Sequence, residues 1–128
     1  MGMYTEFHFN SILKKDVPKD IIKILDYMIT PSNNIPHLPD HKLFETRSWN
    51  MMLRSDSNYF DGDTLSTLRL DDIDNSYYLC IRCNVKNYDS EIGLFIDWIM
   101  PYLDKVKGDF LGFYRYEETE IPTLIYMK

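Results

Sequence analysis

The chain has 128 residues, of which 45% are hydrophobic and 15% aromatic, and its 20 acidic and 14 basic residues give a formal net charge of −6. This length predicts one domain, residues 1–128, and the apolar content is too high for a disordered chain. Because general nucleic-acid binders carry excess positive charge, the acidic balance argues against nucleic acid as a partner.

The first half of the sequence predicts a strand, a helix, an irregular stretch and two more strands. The first strand alternates apolar and polar residues. The helix is expected to begin where Asp can cap its N-terminal end and Pro is tolerated in the first turn. Three prolines interrupt the stretch 30–48, and long loops in compact domains are often functional. The predicted elements are strand Tyr4–Asn10, a helix from Asp16 to about Ile29, and strands Trp49–Arg54 and Thr64–Leu70.

The second half of the sequence repeats this order. A strand with clear alternation comes first, and a helix with an apolar stripe follows it. Pro101 is expected to kink or shorten that helix near its end. The predicted elements are strand Tyr77–Val85, helix Tyr88–Val106, and the hairpin strands Asp109–Glu117 and Pro122–Met127.

The two halves match at short segments that occur in the same order. Phe7-His8-Phe9-Asn10 corresponds to Ile81-Arg82-Cys83-Asn84, and Met52-Leu53-Arg54 corresponds to Phe113-Tyr114-Arg115. The sequence therefore predicts an α+β fold: a duplicated βαββ unit that forms a six-stranded, mostly antiparallel sheet with two helices on one face. The other face is expected to be free unless a partner covers it. The predicted pseudo-repeats are approximately residues 3–70 and 76–128.

This doubled order resembles the strand-helix-strand-strand module that, in tandem, makes the gyrase-inhibitor-like domains. Those domains also occur as the effector-binding domains of AraC-type regulators. The resemblance covers nearly the whole chain and is one of element order. It implies a small-molecule or protein-binding role in the groove between the two halves. The resemblance assigns a role to no individual residue, so the candidate site is predicted from the types and positions of the residues in this sequence.

The arginines are the residues that most suggest a binding site. Four of the five lie in predicted strands. By alternation, Arg82 shares a face with Tyr78, and Glu6 and His8 lie on the corresponding face of the first strand. Arginine binds carboxylates and phosphates through a rigid two-pronged fork, so the helix-free face is expected to bind an anionic or aromatic ligand. The predicted ligand-binding residues are Glu6, His8, Arg54, Arg69, Tyr78, Arg82 and Arg115.

Three alternatives stay open for these residues. Glu6 and Glu117 could neutralise the arginines, since exposed antiparallel faces often carry cross-strand ion pairs. The protein could instead be an interaction module of the inhibitor or immunity type, which engages a basic partner or forms a homodimer through its sheet. An enzyme that uses Glu6 with His8, or His37 with His41, is the third hypothesis. No catalytic residue is predicted, because no nucleophile accompanies these pairs.

Neither metal binding nor redox chemistry is expected. His37 and His41 have the spacing of a helical metal pair, but Pro39 between them favours a polar turn, and no metal or cofactor is predicted. Cys80 and Cys83 form a lone CxxC in a strand, where the two sulfurs should point to opposite faces and not bridge. The two thiols, the absence of a signal-like start and the lack of a bilayer-length apolar run together favour the cytoplasm, with no membrane partner.

Overall fold

The fold is that of a computed structural model, which describes residues 3–58, 60 and 62–128. Five strands and two α-helices form in this part of the chain, together with short 3-10 helices at Lys42–Glu45, Met52–Arg54 and Met100–Tyr102. The strands and α-helices are β1 (Thr5–Ile12), α1 (Lys19–Ile29), β2 (Thr67–Asp71), β3 (Ser76–Val85), α2 (Glu91–Ile99), β4 (Phe110–Tyr116) and β5 (Thr123–Tyr126).

The five strands form one antiparallel sheet in the order β2-β3-β1-β4-β5. β1 lies at the centre and pairs with β3 over its whole length, from Thr5↔Val85 to Ile12↔Tyr78. α1 carries the chain from β1 past β3 to β2, and α2 carries it from β3 past β1 to β4. This is the split β-α-β connectivity of ferredoxin-like folds, with β5 added outside β4. The predicted α+β class, with an antiparallel sheet and two helices, is confirmed.

The hydrophobic core lies between the sheet and the helices. Phe7 and Phe9 alternate with more exposed residues along β1 and are fully buried. The ring of Phe95 in α2 packs edge-on against both, with its centroid 6.0 Å from that of Phe7 and 6.1 Å from that of Phe9. Ile24 and Leu25 of α1 are also fully buried. Because burial of each such side chain contributes about 1.5–3 kcal/mol, the alternation along β1 decides which face of the sheet receives the helices.

The strand predicted at Trp49–Arg54 is wrong. This segment is a turn followed by the 3-10 helix Met52–Arg54, and Met52 and Leu53 are buried where that helix meets α1 and β3. A continuous apolar run does not distinguish a buried strand from a buried helical turn. The sheet therefore has five strands in the described part of the chain and not the predicted six, and the duplicated βαββ unit is not confirmed.

The proline-containing stretch 30–48 and the residue that follows it pack against the two helices. The ring of Phe44 lies edge-on to Trp49 and to Trp98 of α2, with centroids 5.1 and 5.2 Å apart. Trp49 in turn contacts Tyr27 of α1 at 5.9 Å. This stretch therefore bridges the helices with aromatic rings, and it leaves the opposite face of the sheet as the helix-free face.

Both α-helices are short. α2 begins at Glu91, where the side chain of Asn87 accepts a hydrogen bond from the backbone N–H of Ile92 at 3.0 Å. It ends at Ile99 and not at the predicted Val106, because Pro101 lies in the 3-10 helix that follows. Within the described ranges, no helix has the length and apolar character needed to cross a membrane.

Candidate functional site

The helix-free face carries most of the residues that the sequence predicts for ligand binding. The register of β3, β1, β4 and β5 sets their side chains in rows across the sheet. Directly opposed side chains on one face lie about 4.5–5.5 Å apart, so each row is a line of neighbouring groups. The two central rows are Asn84–Glu6–Arg115 and Arg82–His8–Phe113–Leu124.

The first row contains an ion pair between neighbouring strands. Arg115 Nε donates to Glu6 Oε1 at 2.8 Å, and Arg115 Nη1 donates to the backbone carbonyl of Thr119 at 3.1 Å. The guanidinium also lies over the ring of Phe60, 5.1 Å from its centroid. Pairing of Glu6 with a strand arginine, one of the alternatives open from the sequence, is thus present. Arg115 has little capacity left for an anionic ligand, since its Nε and Nη1 are engaged and its flat face is covered.

The side chain of Phe60 covers this end of the face. Ser55 and Leu65 hydrogen-bond to the backbone of β3 at 3.0 and 2.8 Å. Phe60, which lies between them in the chain, is buried against Arg115 in β4. Phe60 therefore covers Arg115 at this end of the helix-free face.

His8 lies at the centre of the face and stacks on Phe113, with ring centroids 4.6 Å apart and an interplanar angle of 12°. Partial burial lowers the pKa of His8 below its ordinary 6.5; the Glu6 carboxylate, 3.8 Å from Nε2, opposes that shift, and Arg82 adds to it. Arg82 itself donates from Nε to the backbone carbonyl of Asp63 at 2.8 Å. At neutral pH His8 is therefore an uncharged flat ring, which is suited to stacking and not to attracting an anion.

Arg54 lies on the helix side of the sheet, so its predicted place on the helix-free face is wrong. Its Nε donates to the carbonyl of Met28 at 3.1 Å, and its Nη2 donates to that of Asn50 at 2.9 Å. Met28 is in the last turn of α1, where carbonyls lack partners within the helix and a positive charge is favourable. Strand alternation does not apply to Arg54, because residues 52–54 form a 3-10 helix. The predicted equivalence of Arg54 with Arg115 fails for the same reason.

Arg69 and Tyr78 lie opposite each other on β2 and β3. The Tyr78 hydroxyl donates to Asp74 Oδ2 at 2.9 Å, and this hydrogen bond is the main reason that the pKa of Tyr78 is raised. Arg69 is exposed, and no described residue forms a hydrogen bond or ion pair with its guanidinium. Arg69 is therefore the one of the four predicted arginines whose guanidinium is wholly unengaged by described residues, while the exposed Arg82 is engaged through Nε alone.

Apolar and aromatic side chains occupy the β4–β5 end of the face, and the sequence interpretation missed them. Phe110, Leu124 and Tyr126 are 56%, 49% and 48% exposed, and the rings of Phe110 and Tyr126 are 5.8 Å apart. A register shift between Phe110 and Gly112 brings Phe110 opposite Tyr126. The only signal in the sequence was the apolar hairpin itself, because the bulge that aligns these rings follows from tertiary pairing. We call Phe110, Phe113, Leu124 and Tyr126 the aromatic patch.

The histidines and cysteines that the sequence also suggested for chemistry do not form a second site. His41 lies 2.9 Å from Asp97 of α2, on the opposite side of the sheet from His8, and His37 is exposed. In the described ranges, no group of three or more His, Cys, Asp or Glu residues is placed to hold a metal ion. Cys80 is exposed and Cys83 is buried, so the two sulfurs lie on opposite faces of β3 as expected.

Comparison with known proteins gives no relative for this chain. No protein-family model matches it, and no curated protein or solved structure matches it either. The function therefore has to be inferred from the residues and their arrangement.

Proposed function

We propose that this protein is a binding module and not an enzyme, and that it docks a second copy of itself through the aromatic patch and the outer edge of β5. The observation that supports this most is the aromatic patch, whose four side chains are uncharged and at least partly exposed on a chain with a net charge of −6. Exposed apolar groups that lie together mark interaction surfaces, whereas isolated ones are ordinary.

The outer edge of β5 supports the same proposal. Within the described part of the chain no strand pairs with it, and Thr123–Tyr126 contains no charged residue. β2 at the opposite edge contains Arg69 and Asp71. Edge strands usually carry charges, prolines or bulges that prevent another chain from pairing with them. Pro122 precedes β5, but the strand itself has none of these features, so a strand of another molecule can pair there.

The pattern of β5 favours a second copy over a charged partner. If two β5 strands pair antiparallel with their Ile125 residues opposed, Leu124 of each copy lies opposite Tyr126 of the partner subunit. Such aliphatic–aromatic pairs are favourable across strands. Because β5 contains no charged residue, pairing two copies of it brings no like charges together, even though each chain carries a net negative charge.

Sedimentation velocity tests this proposal. We expect the wild-type protein to sediment as a dimer, with a molar mass twice that of the 15.3 kDa chain, and Leu124→Lys to sediment as a monomer. Leu124 is about half exposed, so the variant should still fold, with a melting temperature lowered only by the loss of the dimer contact. Ile73→Lys, in the exposed turn between β2 and β3, adds the same charge away from the patch and should stay dimeric. A wild-type monomer at all concentrations, or a dimeric Leu124→Lys, would rule the proposal out.

A small anionic or aromatic ligand on the helix-free face is the second candidate, and the unengaged guanidinium of Arg69 favours it. Arg69, Leu70, Asp71 and Tyr78 line a small groove at the β2 edge, where a carboxylate could pair with Arg69 and a ring could lie on Tyr78. Under this second proposal benzoate raises the melting temperature of the wild type, and Arg69→Gln removes the effect.

We further propose that the two halves descend from one repeated unit and that the protein acts in the cytoplasm. β1-α1-β2 and β3-α2-β4 have the same element order. In the sheet, β2 of the first half lies beside β3, and β4 of the second half lies beside β1. Two free cysteines support a reducing compartment. The resemblance to gyrase-inhibitor-like domains stays a prediction.

A further inference from the structure

A cleft away from the aromatic patch lies where the start of α1 meets the β2–β3 hairpin. Its volume is about 430 Å³, within the range of roughly 300–1,000 Å³ that is typical of small-molecule sites. Its floor is apolar, since Val17, Ile22 and Tyr77 pack against the core and Leu70 lies beside them. We call it the lysine cleft, because its rim carries four lysines: Lys14, Lys15, Lys19 and Lys23.

The charge of the lysine cleft is opposite to that of the chain. Acidic residues outnumber basic ones by 20 to 14 in the sequence, yet none of the described residues that line the cleft carries a carboxylate. Among the residues that the structure describes, ion pairs involve Arg and His, and none involves the four rim lysines. Asp71 and Asp74 in the neighbouring turn accept hydrogen bonds from the backbone of that turn. Four ammonium groups therefore surround one apolar floor, and no described carboxylate lies within ion-pair distance of them.

One of these lysines also lies at the end of a helix that disfavours positive charge. Lys19 is the first residue of α1, where a cation opposes the helix dipole, and Lys23 lies on the same side of the helix one turn later. Pro18 provides no side-chain cap, and Asp20 is the acidic residue of the first turn. A bound anion would offset this cost, because free backbone N–H groups and ammonium groups both attract negative charge.

We propose that the lysine cleft binds an organic phosphate of nucleotide size. Its phosphates would lie among the rim lysines, which attract them as mobile point charges, and its ring would lie on the floor formed by Leu70 and Tyr77. An inorganic anion can use only the rim, and an uncharged nucleoside can use only the floor. The two surfaces together are what distinguish this site from ordinary solvated lysines.

Isothermal titration calorimetry with ATP, tripolyphosphate and adenosine tests the two surfaces separately. We expect ATP to bind most tightly, tripolyphosphate more weakly and adenosine most weakly. The double variant Lys19→Gln/Lys23→Gln should weaken ATP binding by about tenfold or more. Lys42→Gln/Lys86→Gln removes the same charge elsewhere and should change it by less than about twofold. All four of these lysines are exposed, so both double variants are expected to fold.

A variant of the floor completes the test. Leu70→Ser should weaken ATP binding and leave tripolyphosphate binding unchanged, because only the ring contacts the floor. The proposal is overturned by an absence of ATP binding at millimolar concentration or by equal losses in the two lysine double variants. It is also overturned if tripolyphosphate binds as tightly as ATP, since the cleft would then select charge alone.

Discussion

The backbone carbonyl of His8 occupies the space that a Cβ at residue 112 would need, so Gly112 sets how closely β1 and β4 approach. An added Cβ would meet the His8 oxygen at 1.9 Å and the Cα of Phe9 at 2.9 Å. The same approach brings His8 against Phe113, and Phe113 in turn lies beside Leu124. The centre of the helix-free face and the aromatic patch therefore depend on one residue without a side chain.

Gly112→Ala is expected to destabilise the protein by about 2 kcal/mol or more, because backbone atoms cannot yield as a flexible side chain can. Gly93→Ala is the matched control. Gly93 lies on the exposed side of α2, where a methyl group would meet open space, so alanine there should stabilise by about 0.5–1 kcal/mol. Urea unfolding followed by circular dichroism measures both. Equal effects of the two substitutions would contradict the close contact between Gly112 and His8.

The ion pair of Glu6 with Arg115 should be worth more than the exposed pair of Arg47 with Asp89. Glu6 and Arg115 are 15% and 30% exposed and 2.8 Å apart, whereas Arg47 is 81% exposed and 3.6 Å from Asp89. Double-mutant cycles with Glu6→Gln/Arg115→Gln and with Arg47→Gln/Asp89→Asn measure each coupling energy. We expect about 1 kcal/mol for the first pair and close to zero for the second. Equal coupling energies would show that burial of Arg115 beneath Phe60 does not strengthen its ion pair with Glu6.

Four of the five strands could be located from the sequence to within one or two residues. The strand predicted at Tyr77–Val85 is Ser76–Val85, and that predicted at Pro122–Met127 is Thr123–Tyr126. Alternation of apolar and polar residues set the position of Tyr77–Val85, because that strand has one face on the core, whereas Pro122–Met127 was placed as the second strand of the predicted hairpin. Trp49–Arg54 failed since its apolar residues are consecutive, and packing against α1 and β3 decided its conformation.

The face of each strand side chain could be predicted, but its partners could not. Alternation correctly put Arg82 and Arg115 on the helix-free face. The groups that engage them, the carbonyls of Asp63 and Thr119, belong to loops whose paths depend on tertiary contacts. For the same reason, no local pattern indicates that Phe60 covers Arg115 on that face. The lysine cleft was likewise hidden, since it forms only when α1 and the β2–β3 hairpin meet.

His41 is expected to stabilise the fold, whereas His37 is not. His41 Nδ1 accepts a hydrogen bond from the backbone N–H of Leu43 at 3.1 Å, and Nε2 lies 2.9 Å from Asp97 of α2. His41→Ala should therefore cost about 1 kcal/mol, as loss of a helix cap usually does. His37→Ala alters an exposed side chain four residues away and should change stability by less than about 0.5 kcal/mol. Thermal unfolding of both variants checks this, and a larger loss for His37→Ala would contradict it.

The two cysteines should differ in reactivity. Cys80 is exposed, whereas Cys83 is buried, and burial raises the pKa of the Cys83 thiol. Because the thiolate is the reactive form, iodoacetamide should alkylate only Cys80 in the native protein and both residues after denaturation. Mass spectrometry of digested protein gives the labelled site, and native Cys80→Ser should take up no label. Labelling of Cys83 under native conditions would show that β3 opens readily.

His8 should make the protein less stable as the pH falls. Its folded-state pKa is lowered by burial, so between that pKa and the ordinary 6.5 the unfolded chain binds more protons than the folded one. Stability therefore rises with pH through this window and is lost as the pH drops from 6.5 toward the folded-state value.

Urea unfolding of the wild type and of His8→Phe, which keeps the stack on Phe113, should give free energies of unfolding that diverge over this range. NMR titration should also show the pKa of His8 rise in Arg82→Gln and fall further in Glu6→Gln, because one charge opposes the imidazolium and the other favours it. Parallel stability curves, or shifts of the opposite sign, would contradict the arrangement of charges around His8.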